Sequence, residues 1–367
     1  MKPEKPLTSA SAAFATLATV LATLATLATA SPAVAGPAFG LGLESLTEAA
    51  RPAEFRPLTG NDADLTAYGR LAPDEPAPAA AEAPAPPKKL RVGRTTALFS
   101  AGVVAGGYLV WWRGRDFKKF SVNRENWFGE NTYAGGNDKA SHFVFGYVLT
   151  RAFRLGYESA GVERKKALLY AGLAGVAGSW LVEVGDGFVN YGFGVEDGII
   201  TSAGALVAVG LDALNLNDTV GLRYGPLVAE IPEDPAFNEF AKDANHYDTE
   251  IYTIDVAMRG LLPRLGVKKP GLARYALLSL TYNSKGYGTI RPGQRDRQLG
   301  IEVGLNVPEV LRALGARDDK PWWGPILWVL ERVRLPFTGI GFRYELNRNR
   351  WHGPDFGDRF YGDVTAP

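Results

Sequence analysis

The chain has 367 residues, of which 46% are hydrophobic and 22% charged, and its 40 Lys and Arg against 39 Asp and Glu leave a net charge of +1. That length holds about two domains of ordinary size, and the charge balance lacks the basic excess that broad nucleic-acid binding needs. Cysteine is absent and histidine numbers 3, so disulfides, thiolate metal sites, cysteine nucleophiles and a lipid-modified cysteine are excluded, and imidazole chemistry is confined to His142, His246 and His352.

Residues 1–35 read as a secretory signal peptide. Lys2 and Lys5 form a basic start, Ala12 to Ala30 a weakly apolar run, and Ala33-Val34-Ala35 a small-x-small cleavage site. An uncleaved anchor is the alternative. Residues 36–91 are rich in Pro and Ala. The stretch from Ala72 to Pro87 has no periodicity and few large apolar groups, so it reads as a disordered linker. A short helix fits Leu41 to Ala50.

From Thr95 to Trp112 no residue is charged, and basic residues flank both ends, Lys88, Lys89, Arg91 and Arg94 before and Arg113, Arg115, Lys118 and Lys119 after. A minimal bilayer span ending in a Trp pair has this pattern, and so does a buried core helix. Three further apolar helices are expected at about Asp138 to Tyr157, Lys166 to Glu183 and Glu196 to Leu214. They are Gly- and Ala-rich and short for spans, which suits a tightly packed, half-embedded bundle. The mean hydropathy of −0.08 limits the membrane portion without removing it.

Beyond Leu216 the pattern turns to strands. Tyr275 to Tyr282, Gln298 to Val307 and Phe337 to Leu346 alternate in polarity. Asn283 to Gly286 looks like a turn, Pro308 begins a short helix, and Trp322 to Val333 forms an amphipathic aromatic stretch suited to a membrane interface or to ordinary packing. Three or four strands are too few for a closed transmembrane barrel. The expected fold is α+β, a membrane-associated helical bundle over residues 92–216 followed by a small antiparallel sheet with amphipathic helices over 217–367.

Charges inside the apolar helices carry the functional signal. Asp138, Lys139 and His142 share the first turns of one helix, with Arg151 nearer its opposite side. Glu183, Asp186 and Asn190 end the next, and Asp197 and Thr201 lie on one face of the third. If these ends fold together, they form a cluster that is costly to bury unless its charges are paired. It then has three readings. Lys139 and His142 neutralise Glu183 and Asp197 and fix the bundle. Alternatively, His142, Lys139, Asp138 and Glu183 act on or bind a head group, with Asp186, Asp197 and Thr201 as binding residues. Or the carboxylates and one imidazole hold a hard or borderline cation. No HExxH or GxSxG motif is present, and no cofactor is assigned. His246 and His352 read as capping or loop histidines.

The run from Trp127 through Gly135-Gly136-Asn137-Asp138-Lys139 to His142, then Glu183-Val-Gly-Asp186, Tyr191-Gly-Phe-Gly194 and Asp197, resembles the YfiM/DUF2279 family of uncharacterised bacterial envelope proteins. The Asp-Lys-x-x-His order is also similar to the VanZ-like membrane family. Thr201 stands where that motif usually carries Asn. The resemblance covers about Trp127 to Gly210 and implies an envelope location, on the outer membrane or the periplasmic side of the inner membrane, without implying an activity. The expected protein is therefore exported and membrane-associated. It is of structural or interaction type, or a membrane-embedded enzyme or binder for a lipid or phosphorylated head group. Its partners are membrane lipid and other envelope proteins, not nucleic acid.

Overall fold

A computed structural model describes residues 89–226, 247, 250–287 and 295–356. The signal peptide, the Pro/Ala-rich linker up to residue 88, the short helix at Leu41 to Ala50 and His246 lie outside the described residues.

Helix α1 (Lys89–Gly107) passes into a π-helical turn, Tyr108–Trp112, and ends where Arg113 becomes extended and returns its N–H to the Tyr108 carbonyl at 2.7 Å. The apolar run is thus not one straight helix. Phe99 anchors it, stacking on Phe153 with ring centroids 4.6 Å apart. An extended segment follows. It contains β1 (Val122–Asn123), which pairs in parallel with β2 (Phe193–Gly194), and ends in a 3-10 turn, Tyr133–Gly136. Ala134, Gly135 and Gly136 all have positive φ there. A side chain at Gly135 would strike the Tyr287 ring, so this tight entry to the next helix depends on glycine.

Helices α2 (Asn137–Ser159), α3 (Arg164–Asp186) and α4 (Val195–Ala213) form the bundle. Their bounds fall within a few residues of those expected. Small residues bring the backbones together: a Cβ at Gly204 would lie 1.9 Å from the Phe143 carbonyl oxygen, and one at Gly146 2.0 Å from that of Thr201. Leu149, Phe153 and Tyr157 of α2, Ala167 and Ala171 of α3 and Phe99 make one apolar core.

The second part is a six-stranded antiparallel sheet in the order β3 (Val220–Pro226), β4 (Glu250–Ala257), β5 (Ala276–Lys285), β6 (Asp296–Leu305), β7 (Gly339–Glu345) and β8 (Arg350–Phe356). Short helices α5 (Met258–Arg264), α6 (Val307–Ala313) and α7 (Trp323–Leu330) fill its connections. Asn306 caps α6 through the Glu309 N–H, with Pro308 in the first turn. The edge of β3 is not open. Tyr224 donates its N–H to the Arg332 carbonyl and accepts from the Arg334 N–H, a parallel bridge to the chain leaving α7.

Three expectations need correction. Among the described residues the sheet has six strands rather than three or four; β3, β4 and β8 carry Arg223, Glu250, Asp255 and Gly353-Pro354, which break the usual alternation. Asn283 to Lys285 are strand rather than turn: they pair with Gln298 to Asp296, and the Ser284 hydroxyl is drawn in by the Ala134 carbonyl at 2.6 Å. His352 sits in β8 rather than in a loop, 2.9 Å from Glu345.

The polarity of the sheet is reversed from the water-soluble norm. Ser279, Thr281, Glu302 and Arg343 are buried, while Leu280, Ile301, Val303 and Phe342, on the other face, are exposed. Among the described residues the bundle covers the β3–β4 end of the apolar face, where Ala140, Val144 and Tyr147 of α2 pack on Leu222 and Tyr252, and it reaches Tyr282 of β5.

Candidate functional site

The first turn of α2 is sunk between the bundle and the sheet. Asn137 donates its side-chain amide to the carbonyls of Tyr247 and Glu250, at 2.6 and 3.2 Å, which pins the helix start against β4. Asp138, in the same turn, benefits from the helix dipole and accepts a hydrogen bond from the Tyr247 hydroxyl. Lys139 is 1% exposed. Its ammonium lies 2.6 Å from Asp138, 2.5 Å from Asp197 at the start of α4, and 2.8 Å from Glu125 in the extended segment. Asn123 of β1 orients Glu125 by donating to its other oxygen at 2.8 Å.

One turn further along α2, His142 faces the same centre. Thr201 donates its hydroxyl to the Asp197 carbonyl at 2.7 Å, so its oxygen is left to accept from His142 Nδ1–H at 3.0 Å. Glu183, near the end of α3, stands 3.8 Å from that nitrogen and accepts the Gly194 N–H at 3.1 Å. Asp138 lies 3.6 Å from the other ring nitrogen. At the last residue of α3, Asp186 accepts the Trp112 indole N–H at 2.6 Å, tying in the π-helical turn. A cavity of about 100 Å³ opens beside this cluster, lined by Trp111, Tyr133, Ser141, His142, Phe145 and Tyr191 together with the carboxylates.

Five carboxylates share one ammonium and one imidazole, so the centre carries excess negative charge. Burial, with Asp138 nearby, pushes the Glu125 carboxyl up to about 7. Burial alone would lower the His142 imidazole, but Asp138, Asp197 and Glu183 outweigh it and hold the ring above its ordinary value. The cluster is thus a place where protons are retained near neutral pH.

Asp138, His142 and Asp197 bring potential metal-ligand atoms within 4.8 Å of one another. Both carboxylates of that set are already drawn around the Lys139 ammonium, at 2.5 and 2.6 Å. A primary amine therefore holds the position where a cation between these carboxylates would sit.

Of the residues singled out in the sequence, Asp138, Lys139, His142, Glu183, Asp197 and Thr201 converge, and Asp186 lines the same cavity. Arg151 does not. It donates to Tyr147 and Asn217, on the side of α2 away from the cluster. Glu125, Asn137, Tyr247 and the bonding role of Trp112 were not foreseen. Glu125 lies in an aperiodic segment, and only its place just before the Trp127 run could have drawn notice. Tyr247 reaches in from beyond the bundle altogether.

No curated protein and no solved structure matches the chain. Residues 124–213, which begin beside Glu125 and run to the end of α4, match the DUF2279 family, described as a predicted periplasmic lipoprotein, and this match supports an exported, envelope-associated location.

Proposed function

We propose that this is a membrane-associated envelope protein of structural or interaction type, in which the buried polar centre fixes the helical module. The observation that carries the reading is the enclosure of Lys139. Its ammonium donates to Asp138 and Glu125 and lies 2.5 Å from Asp197, so carboxylates from α2, α4 and the extended segment surround it. Such a centre specifies one helix register because any other leaves a buried charge unpaired. Membrane association is supported by the outward apolar side chains of the bundle, among them Leu169, Leu173 and Leu181 on α3 and Leu206 on α4. Helix α3 is long and apolar enough to cross a membrane by length and composition. Its glycine-lined inner face suits a bundle set partway into a bilayer.

A second reading, a binder or enzyme for a polar head group, is favoured by one observation. The His142 side chain borders the cavity and is 22% exposed, against 8% or less for Asp138, Glu183 and Asp197. In that case His142 makes the contact and Lys139 supports the carboxylates behind it.

Two measurements separate these readings. Membranes carrying the full chain are washed with high salt and with alkaline carbonate; release of the protein by either wash refutes embedding in the bilayer. His142→Ala and Glu183→Ala are then compared for thermal stability and for complementation of a deletion strain. Both variants destabilised, with function lost in proportion, is the expected result. Full stability with function abolished overturns the structural reading in favour of the second.

A further inference from the structure

We propose that the outward face of strands β4 to β8 is a lipid-contacting surface, seated in acyl chains, with a basic rim at the head groups. The inference deepens the membrane-associated reading above, and rests on it, but it concerns the sheet rather than the helices.

The cross-strand register shows how consistent the face is. Ile254, Leu280, Ile301 and Phe342 are direct neighbours across four strands, and Leu278, Val303 and Ile340 form the next row. All are 43–53% exposed. Behind them, Asp255, Ser279 and Glu302 form one buried row, and Thr253, Thr281, Gly300 and Arg343 another. In water a half-buried sheet puts its apolar row inside and its polar row out. Apolar-out with polar-in is the pattern of strands whose solvent is hydrocarbon.

Curvature decides what can cover the face. Arg334 is joined by its backbone to Tyr224 of β3, yet its guanidinium reaches Glu302 of β6 at 2.8 and 3.1 Å. In a flat sheet these strands would stand about 14 Å apart. The sheet must curl around the Arg334–Glu302–Arg343 group, which makes the polar face concave and filled and the apolar face convex. Beyond the strip that α2 covers at Leu222 and Tyr252, the convex apolar surface is continuous, and a fluid medium conforms to it.

The edges match a bilayer as well. From Leu299 to Leu305 along β6 the apolar side chains rise about 20 Å, close to the ~25 Å band of membrane strands. Leu299 is followed outward by Tyr344 and the exposed Trp351, ring centroids 5.1 Å apart, residues that favour the boundary between hydrocarbon and head group. At the opposite end, beside the Ala276–Leu305 pair, the connection into β5 exposes Leu272 together with Lys268, Lys269 and Arg274. Apolar insertion next to basic charge is complementary to anionic head groups.

Because the chain has no native cysteine, single-cysteine labelling tests this directly in the full-length protein. Ile301→Cys, Phe342→Cys and, on α3, Leu173→Cys are each labelled with an environment-sensitive fluorophore, with Arg317→Cys as an exposed polar reference. The proteins are reconstituted in phosphatidylethanolamine–phosphatidylglycerol vesicles, with quenchers carried on the acyl chains or dissolved as iodide. The expected result is acyl-chain quenching at Ile301 and Phe342 at least about threefold that at Arg317, with iodide quenching suppressed. Strong acyl-chain quenching at Leu173 with none at the two sheet positions overturns the inference while sparing the helical reading. Quenching at the sheet but not at Leu173 supports the inference and confines embedding to the sheet. Sheet labels protected from both quenchers, in a protein that sediments as a dimer, overturn it by assigning the face to a second copy. Iodide quenching at all positions overturns both.

Discussion

Replacing Lys139 with methionine keeps most of the side chain's volume and removes its charge, so it isolates the electrostatic part of the centre. Three carboxylate oxygens lie 2.5 to 2.8 Å from the ammonium. At an effective dielectric of about 20, each contact is worth roughly 6 kcal/mol of gross attraction. Desolvation of a group that is 1% exposed offsets most of this. The loss on removing one partner of such a group is about 3–5 kcal/mol, because Asp138, Asp197 and Glu125 are left buried without a counter-charge. Urea unfolding of wild type and Lys139→Met in mild detergent, followed by tryptophan fluorescence, measures the difference. It should shrink as pH falls from 8 to 5, because protonation then neutralises the stranded carboxylates. A loss below about 0.5 kcal/mol at pH 8, or a loss independent of pH, would refute the view that the ammonium holds the bundle together.

Other expectations follow from the same geometry. Glu125 titrates at about 7 in the folded protein against 4.5 as its reference, so folding takes up a proton there. The contribution of Glu125 to stability should therefore be fullest below about 4.5 and be lost as pH rises through 7, and Glu125→Gln should remove that loss in denaturation midpoints compared with wild type across this range. Gly204→Ala sets a methyl 1.9 Å from the Phe143 carbonyl, where backbone rather than a mobile side chain must give way. A loss of about 1–3 kcal/mol is expected, and unchanged thermal unfolding would argue against a backbone-to-backbone contact between α2 and α4. In the sheet, Glu302→Gln leaves Arg334 and Arg343 buried around a neutral group. It should cost about 3–5 kcal/mol, whereas the exposed Ile301→Val should change stability by less than about 0.5 kcal/mol.

The helical module was largely legible in the sequence, since 3.6-residue periodicity survives when Gly and Ala line the contacts. The Asp138, His142, Glu183 and Asp197 set could be found because charged residues inside apolar helices are conspicuous. Glu125 and Tyr247 were not, because segments without periodicity give no hint of where they return. The sheet was harder. Strands such as Val220–Pro226 and Glu250–Ala257 put Arg223 and Asp255 on the buried side, paired at 2.5 Å. A reading that takes apolar residues as inside and polar ones as outside discards them. The Trp322–Val333 stretch, which suited a membrane interface or ordinary packing, holds α7, and its last residue forms the bridge to β3.

That bridge also bears on the order of assembly. The strand pairs in the sheet join neighbours along the chain and can zip up through nearby contacts, but Tyr224 meets Val333 only after β4, β5 and β6 have been threaded between them. Closing so long a loop costs about 2–3 kcal/mol more than closing a short hairpin. The Arg334–Glu302 pair that accompanies it is the latch that makes closure worthwhile. A chain delivered unfolded, from its N-terminus, would complete its helices first and engage this latch among its last events. The amides of Tyr224 and Arg334 would then be the natural place for the sheet to begin to open.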